Sequence, residues 1–347
     1  MIRRLAVLLL AFMLLPLNAS AETEKVYTMT DESGKTVAMR LGKMYVGDEY
    51  ISHENLLYEI VSVDDEKGIA RAVCRGEEKQ DTAFVFSAFA EENAKLICMY
   101  STHSDESYIP GDGDFSLEKN AGIYDVGNRF KQHLEKLGFE VEYSEDTFLP
   151  HDAGAYRRSR SVAADFAKKN PAALIDIHRD GIPKEEYETT VDGEKTSMVR
   201  LFVGKSNENA GENRAFAKRL KAIADEEYPG LVKDIYIGKG NYNQDLFPNA
   251  ILLEFGTHEM DKKMVLDSTE YMASVLSTAL DGQSTPEEKK EETARAAGGA
   301  GWLIALVAAG GILIALLATG SLKGAGKKLK DGFGEITGGI FSGKKKK

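Results

Sequence analysis

Apolar and polar positions follow two different patterns in the first and second parts of this chain. Between residues 22 and 80, short apolar stretches such as VYTM, TVAMRLG, LLYEIVSVD and IARAV are separated by the turn-like sequences DESGK and DDEKG. Short apolar stretches broken in this way are typical of antiparallel strands joined by tight turns. We therefore predict a small β domain over residues 22–94.

After residue 95 the pattern changes and predicts strands that alternate with helices. The predicted strands are LICMYS, FEVEYS, AALIDIH, SMVRLFVG and AILLEFG. Apolar residues that recur every three or four positions predict helices over 123–137, 156–169, 208–228 and 262–280. This alternation predicts an α/β fold with a mostly parallel sheet flanked by helices, over residues 95–282.

Both ends of the chain carry membrane signals. Two arginines, an apolar stretch from Leu5 to Leu17 and the small residues Ala19-Ser20-Ala21 predict a cleaved signal peptide over 1–21. After a charged linker over 283–296, residues 297–322 lack charge and are long enough to cross a bilayer as a helix. We therefore expect a single-pass cell-membrane protein.

The charge distribution predicts its orientation and excludes one class of partner. The tail over 323–347 has eight lysines and two acidic residues, a net charge of +6, whereas the whole chain carries −11. By the positive-inside rule the tail is cytoplasmic and the folded part lies outside the membrane. Because the tail is basic and the whole chain is acidic, the folded part carries a strong negative charge. This charge argues against nucleic acid as a partner.

The chain has only two cysteines, Cys74 and Cys98. This number excludes a disulfide framework and leaves a single bridge open. Cys98 lies inside the apolar stretch LICMY, which favours a buried thiol that packs as a small hydrophobic residue.

Three predicted strands end in residues that can carry chemistry. His103 follows LICMYST, His178 ends ALIDIH, and Glu254 lies near the end of ILLEFG. Because ligand sites in open α/β sheets gather at the carboxyl ends of strands, these side chains are expected to converge.

His103, Glu106 and His178 form a candidate ligand set for Zn²⁺. Catalytic zinc sites use three protein ligands of the histidine and carboxylate type and keep a fourth position for water. Glu118, before the next predicted helix, competes with Glu106 for the third place, and spacing alone leaves both open.

Glu254 is the candidate catalytic acid and base. A carboxylate buried among Leu253 and Phe255 is unfavourable unless it has a partner or a role. One alternative is a plain ion pair with Arg200. His151 belongs to the loop sequence LPHDAG and receives no role in the site.

Four sequence blocks resemble the stage II sporulation protein P family of bacterial cell-wall hydrolases. In order, they are STHSDESYIP, GAYRRSR, NPAALIDIHRDG and NYNQDLFPNAILLEFG, and the resemblance covers roughly residues 95–280. The family is similar in fold to zinc-dependent N-acetylmuramoyl-L-alanine amidases. Its usual membrane anchor is N-terminal, whereas the anchor predicted here is C-terminal, which questions a sporulation role more than the chemistry.

The resemblance also implies roles for individual residues. It makes His103 and His178 zinc ligands, and its first block favours Glu106, while the wider amidase pattern favours Glu118; we take Glu106. It makes Glu254 catalytic. Three further residues match family blocks and receive roles on that basis: Arg179 as catalytic, and Tyr108 and Gln244 as substrate-binding.

The predicted function is therefore a membrane-anchored zinc peptidoglycan hydrolase that cuts between N-acetylmuramic acid and L-alanine, in cell-wall remodelling or sporulation. Cleavage within stem peptides, by an endopeptidase or carboxypeptidase activity, is one alternative. A wall-binding scaffold without catalysis is another. The expected partners are peptidoglycan, the membrane and an activator protein of cell-wall hydrolases.

Overall fold

The computed structural model describes residues 25–78 and 95–281, all of which belong to one compact unit of the chain. The predicted signal peptide, linker, membrane helix and basic tail lie outside these residues. Within the described residues, no helix is both long and apolar enough to cross a membrane.

Strands and helices follow one another largely as predicted. The strands are β1 Val26–Thr30, β2 Thr36–Leu41, β3 Glu49–Ile51, β4 Leu56–Asp64, β5 Ile69–Glu77, β6 Leu96–Tyr100, β7 Glu140–Tyr143, β8 Ala173–Asp180, β9 Glu188–Val191, β10 Glu194–Ser197, β11 Val199–Gly204, β12 Val232–Gly238 and β13 Ala250–Thr257. The helices are the short α1 Ile109–Asp112, then α2 Gly122–Lys136, α3 Ala155–Ala167, α4 Ala210–Glu227 and α5 Lys262–Asp281.

Eleven of these strands form one sheet, in the order β2-β1-β5-β4-β3-β12-β11-β13-β8-β6-β7. The strands predicted as a small β domain therefore continue the α/β sheet, because β3 pairs with β12. The prediction of a mostly parallel sheet is corrected: the sheet is mixed. The strands from β13 to β7 run parallel, whereas β11 is antiparallel to β13 and the β1–β5 part is mainly antiparallel.

Strand β12 and the β9–β10 hairpin were not predicted, because charged and polar residues interrupt the apolar pattern that identifies a strand. Strand β12 is fully buried although Lys233 and Asp234 interrupt its apolar pattern. Lys233 binds Glu186 and Asp234 binds Arg200, so each charge is neutralised inside the fold. The β9–β10 hairpin consists mostly of polar residues and forms a separate two-stranded sheet.

Alternate residues of the central strands face two apolar layers, as the two-residue period of a strand requires. Ile97 and Met99 of β6 pack in the large core with helices α2, α4 and α5. Leu96, Cys98 and Tyr100 face the other way, toward α3. Cys98 is thus the buried thiol that the sequence predicted; Cys74 is exposed, and neither forms a disulfide.

The neighbouring parallel strands β6, β8 and β13 place the candidate site residues at the carboxyl edge of the sheet. Tyr100 of β6 pairs with Asp176 of β8, and His178 of β8 pairs with Glu254 of β13. Strand β13 then shifts register before Thr257, where Gly256 has φ 68° and leaves no room for a side chain beside Ser197. Such a bulge at a strand end redirects the residues around it.

Candidate metal centre

His103, Glu106 and His178 meet at the carboxyl edge of β6 and β8. One ligand-type atom from each residue lies within 4.8 Å of the other two. Glu106 reaches the histidines because the chain turns after β6, where the Glu106 amide donates to the His103 carbonyl. Its own carbonyl accepts the amide of Ile123 at the start of α2, which fixes the turn.

The spacing of these atoms fits a small tetrahedral ion. Oε1 of Glu106 lies 3.2 Å from Nδ1 of His103 and 3.5 Å from Nδ1 of His178. Ligands about 2.0–2.1 Å from a tetrahedral zinc ion are roughly 3.4 Å apart. Two imidazoles and one carboxylate are also the donor set of catalytic zinc sites. These residues therefore fit Zn²⁺, whereas Glu118 is exposed and lies outside the cluster.

Asp176 supports the cluster from behind. One of its oxygens accepts hydrogen bonds from the Thr102 amide at 2.8 Å, and the other accepts from the Thr102 hydroxyl at 2.7 Å. The first oxygen also lies 3.0 Å from Nε2 of His178, at ion-pair distance, although the angle is not that of a regular hydrogen bond. A carboxylate behind a ligating histidine orients the ring and raises its basicity.

Glu106 and His178 hold each other in charged states, whereas His103 is kept neutral. Burial alone would raise the pKa of Glu106, but His178 and His103 outweigh it and hold that pKa well below its ordinary value. Burial alone would lower the pKa of His178, but Asp176 and Glu106 raise it well above the usual range. Burial lowers the pKa of His103. A cation at this position would take the place of the proton on His178.

Glu254 faces the same cluster with an unsatisfied oxygen. Its Oε2 is buried and has no hydrogen-bond partner among the described residues. Burial, with the negative charges of Asp180 and Glu106 nearby, raises the pKa of Glu254 to about 8, while His178 and Arg200 oppose the shift. A carboxyl group with a pKa in this range can hold or release a proton near neutral pH.

The alternative that Glu254 merely pairs with Arg200 does not match the contacts. Arg200 is buried and donates to Asp180 at 2.7 Å, to both oxygens of Asp234 at 2.7 and 3.0 Å, and to the carbonyl of Met39 at 3.0 Å. Four of its five N–H donors are therefore occupied by two other carboxylates and a carbonyl, and none of these hydrogen bonds goes to Glu254.

Arg179 lines the cleft, but its donors are directed to the loop that follows β6. The guanidinium donates to the carbonyls of Ser107 at 3.1 Å and Phe115 at 2.8 Å. Its backbone amide donates to Oε2 of Glu106 at 2.8 Å. These contacts hold the loop that carries His103 and Glu106.

Tyr108 and Gln244, predicted to bind substrate, are buried and do not line the cleft. The Tyr108 hydroxyl donates to the carbonyl of Phe255 at 2.9 Å. The Gln244 side chain accepts from the Gly204 amide at 2.8 Å and donates to the Phe202 carbonyl at 2.9 Å. Both residues therefore brace the strands behind the site.

Besides Asp176, two residues that contact His103 received no role from the sequence. His151 packs its ring against that of His103, with centroids 4.0 Å apart, and its Nδ1 lies 2.9 Å from Asp105. Tyr156, at the start of α3, lies edge-on to His103 with centroids 5.5 Å apart. The segment GAYRRSR signalled Tyr156, whereas His151 had no local signal because only the folded loop brings it to His103.

The cluster opens into a cleft of about 450 Å³. One wall, here called the metal-centre wall, consists of His103, Glu106, His178 and Glu254. A second group of lining residues, here called the meander wall, consists of Arg40, Lys43 and Tyr45 with Lys239 from the loop after β12. The cleft therefore brings the N-terminal strands and the candidate centre together in one site.

Comparison with known proteins places the chain in a family. The sequence model of the family "Stage II sporulation protein P (SpoIIP)" matches residues 24–277. The stage II sporulation protein P of Bacillus subtilis (strain 168) is 33% identical over 181 residues. That alignment spans 47% of this chain and 45% of the relative, so the chain matches less than half the length of that protein.

Solved structures of two amidases are also similar. The N-acetylmuramoyl-L-alanine amidase AmiC2 of Nostoc punctiforme is 17% identical, with 54% of this chain and 96% of that chain covered and a TM-score of 0.35. The catalytic domain of CwlV, an N-acetylmuramoyl-L-alanine amidase from Bacillus (Paenibacillus) polymyxa var. colistinus, is 17% identical, with 54% and 97% covered and a TM-score of 0.36.

The family match covers the N-terminal strands as well as the α/β part, which is consistent with the single sheet that the two parts form. It also contains every residue of the candidate centre. The chain belongs to the stage II sporulation protein P family.

Proposed function

We propose that this protein is a zinc-dependent peptidoglycan hydrolase that cleaves the amide bond between N-acetylmuramic acid and L-alanine. The observation that carries this proposal is the meeting of a two-histidine, one-carboxylate cluster with the unsatisfied oxygen of Glu254 in one open cleft. The substrate class rests on the family resemblance of the blocks that contain these residues.

His103, Glu106 and His178 would hold the ion. Zn²⁺ bound there would supply Lewis-acid polarisation of the scissile carbonyl and activation of water. Oε2 of Glu254 accepts a proton during attack and returns it to the leaving amine, as a general base and then a general acid. Without a bound ion the pKa of Glu254 is raised, and a cation at the cluster would lower it toward the range in which the carboxylate can accept a proton near neutral pH.

The remaining polar residues around the site have positional rather than catalytic roles in this proposal. Asp176 orients the His178 ring, and Arg179 fixes the loop that carries His103 and Glu106. We accordingly assign Arg179, Tyr108 and Gln244 positioning roles instead of the catalytic and substrate-binding roles expected from the sequence. Location outside the cell membrane, anchoring by residues 297–322 and an activator protein stay predictions.

The test is hydrolysis of purified peptidoglycan by the full-length protein, with the products identified by mass spectrometry. We expect release of intact stem peptides with a free L-alanine amino terminus, loss of this activity on chelation, and recovery with Zn²⁺. Products cut between amino acids would instead support the endopeptidase or carboxypeptidase alternative. Hydrolysis that persists after complete zinc removal would refute the metal mechanism.

Glu254→Gln protein separates an enzyme from a scaffold. It keeps the shape of the side chain and the three ligands, so wall binding should remain while hydrolysis is lost. A scaffold predicts equal behaviour of wild type and variant. Glu118→Gln, an exposed carboxylate outside the cluster, is the matched control and should hydrolyse like wild type.

A further inference from the structure

The meander wall of the cleft has cationic groups without an assigned function. Arg40 and Lys239 both line the cleft that contains the candidate metal centre. Among the described residues, neither has a carboxylate within ion-pair distance, whereas the neighbouring Lys43 pairs with Asp65 at 2.5 Å. The negative charges of Asp48 and Asp180 act on Arg40 without forming an ion pair with it, so both cations can still bind an anionic ligand directly.

The Arg40 guanidinium is held in a fixed position by aromatic rings. It lies 5.0 Å from the ring centre of Phe202 and 5.1 Å from that of Tyr236, within the range of cation–π contact. One of its nitrogens donates to the carbonyl of Lys43 at 2.5 Å. A planar guanidinium fixed in this way is suited to bidentate binding of a carboxylate.

The same wall is anchored to the α/β part, so its position relative to the metal centre is fixed. Arg200 donates to the carbonyl of Met39 in β2, and Leu41 packs so closely on Gly181 that a side chain at residue 181 would meet it at 2.3 Å. Asp48 accepts the Tyr236 hydroxyl at 2.9 Å and the Lys239 amide at 2.8 Å.

A row of aromatic rings connects the two walls. Phe202, beneath Arg40, contacts Tyr242 with ring centroids 4.8 Å apart. Tyr242 contacts Tyr156 at 5.2 Å, and Tyr156 contacts His103 at 5.5 Å. An extended ligand that starts at the metal centre can therefore lie over apolar rings before it reaches the cations.

We propose that Arg40 and Lys239 form an anion subsite that binds a carboxylate of the stem peptide while the scissile amide lies at the metal centre. The inference rests on the proposed function and adds the part of the substrate that is recognised. Peptide stems contain acidic residues and end in a carboxylate, which supplies the charge that the subsite lacks. The N-terminal strands would thus determine specificity for the charge of the stem.

The test measures binding of two synthetic N-acetylmuramoyl tripeptides to the metal-free full-length protein by calorimetry. One tripeptide has free carboxylates, and in the other they are converted to amides. Wild type should prefer the free form. Arg40→Gln should weaken binding of that form by about 10- to 100-fold, the range for a charge-assisted hydrogen bond, and leave the amidated form unchanged. Arg40→Lys keeps the charge without the planar fork and should fall between them.

A substitution of Lys239 tests the same subsite in case Arg40→Gln disturbs folding. Because Lys239 is exposed, Lys239→Gln should fold normally and weaken binding of the free form by about threefold. Arg71→Gln is the matched control, since Arg71 is exposed on β5 and does not line the cleft. Equal affinity of wild type for both tripeptides would overturn the subsite, as would equal effects of Arg40→Gln and Arg71→Gln.

Hydrolysis assays on the same two tripeptides separate this inference from the proposed function. Charge-selective binding without hydrolysis by the zinc-loaded protein would support the subsite and refute the hydrolase. Hydrolysis at equal KM for both tripeptides would support the hydrolase and overturn the subsite.

Discussion

On the metal-centre wall, charged groups of opposite sign lie close together, whereas Arg40 and Lys239 of the meander wall form no ion pair with a carboxylate among the described residues. His103, Glu106 and His178 are within 4.8 Å of one another, and each changes the pKa of another. Arg40 and Lys239 contact aromatic rings instead. The comparison indicates different roles for the two walls. The metal-centre wall is suited to bind an ion and transfer protons, and the meander wall is suited to bind a negatively charged group of the ligand.

The difference also predicts how mutations behave. Residues of a coupled cluster are not independent, so a change in one alters the protonation of its neighbours. Substitutions on the meander wall should act more simply, through affinity for one class of ligand. Substitutions on the metal-centre wall test this distinction, with expected effects that range from a large loss of turnover to a small change in stability.

Glu254→Gln should give the largest effect, a loss of about 10²- to 10⁴-fold in kcat, the usual contribution of a general acid and base. Zinc content should remain that of wild type, because residue 254 is outside the ligand cluster. Two measurements check this prediction: the rate of turnover of a soluble muropeptide, and the zinc content of the protein by elemental mass spectrometry. A variant that lost zinc as well would show that Glu254 acts as a ligand.

Glu106→Gln should lower the affinity for Zn²⁺ by more than about 100-fold. Loss of an outer-shell partner costs about 10- to 100-fold, and the loss of one of three direct ligands should exceed that range. Competition with a chromogenic chelator measures the affinity. Glu118→Gln tests the alternative ligand and should bind zinc like wild type. The reverse result, with zinc lost only in the Glu118 variant, would move the third ligand to Glu118.

Much of the α/β part could be predicted because local sequence determines it. Helix α2 follows from apolar residues at helical spacing, and its observed bounds, Gly122–Lys136, differ by one residue at each end from the prediction. The convergence of His103, His178 and Glu254 followed from a general rule about strand ends. Asp176 was also within reach of sequence reasoning, because residues two apart in a strand share a face and Asp176 precedes His178 by two.

The remaining features depend on contacts between segments distant in the sequence. Spacing did not distinguish Glu106 from Glu118, since the choice depends on how the loop after β6 is held by Arg179. The pairing of β3 with β12 joins strands far apart in the chain, and no local pattern reports it. Arg40 lay in a stretch predicted only as a β strand, so its place in the cleft required the whole sheet.

The smallest effect expected at the metal-centre wall is a pH-dependent gain in stability of the metal-free protein on Glu254→Gln. Burial raises the pKa of Glu254 to about 8 from an ordinary value of 4.5. Between these pH values the folded protein keeps a proton that the unfolded chain has lost, so this carboxyl makes the free energy of unfolding fall as pH rises. The neutral amide of the variant cannot ionise, and the variant should gain about 2 kcal/mol over wild type by pH 9, after allowance for partial solvent exposure.

Urea unfolding at pH 5, 7 and 9 in the presence of chelator measures this gain. At pH 5 the two proteins should have nearly equal stability, because wild-type Glu254 is then protonated in the folded state. Glu118→Gln controls for the loss of a carboxylate as such and should show no such trend, since Glu118 is exposed. A stability difference between the two proteins that is the same at all three pH values would mean that the pKa of this carboxyl is not raised in the folded state, which would contradict its role as a proton acceptor and donor near neutral pH.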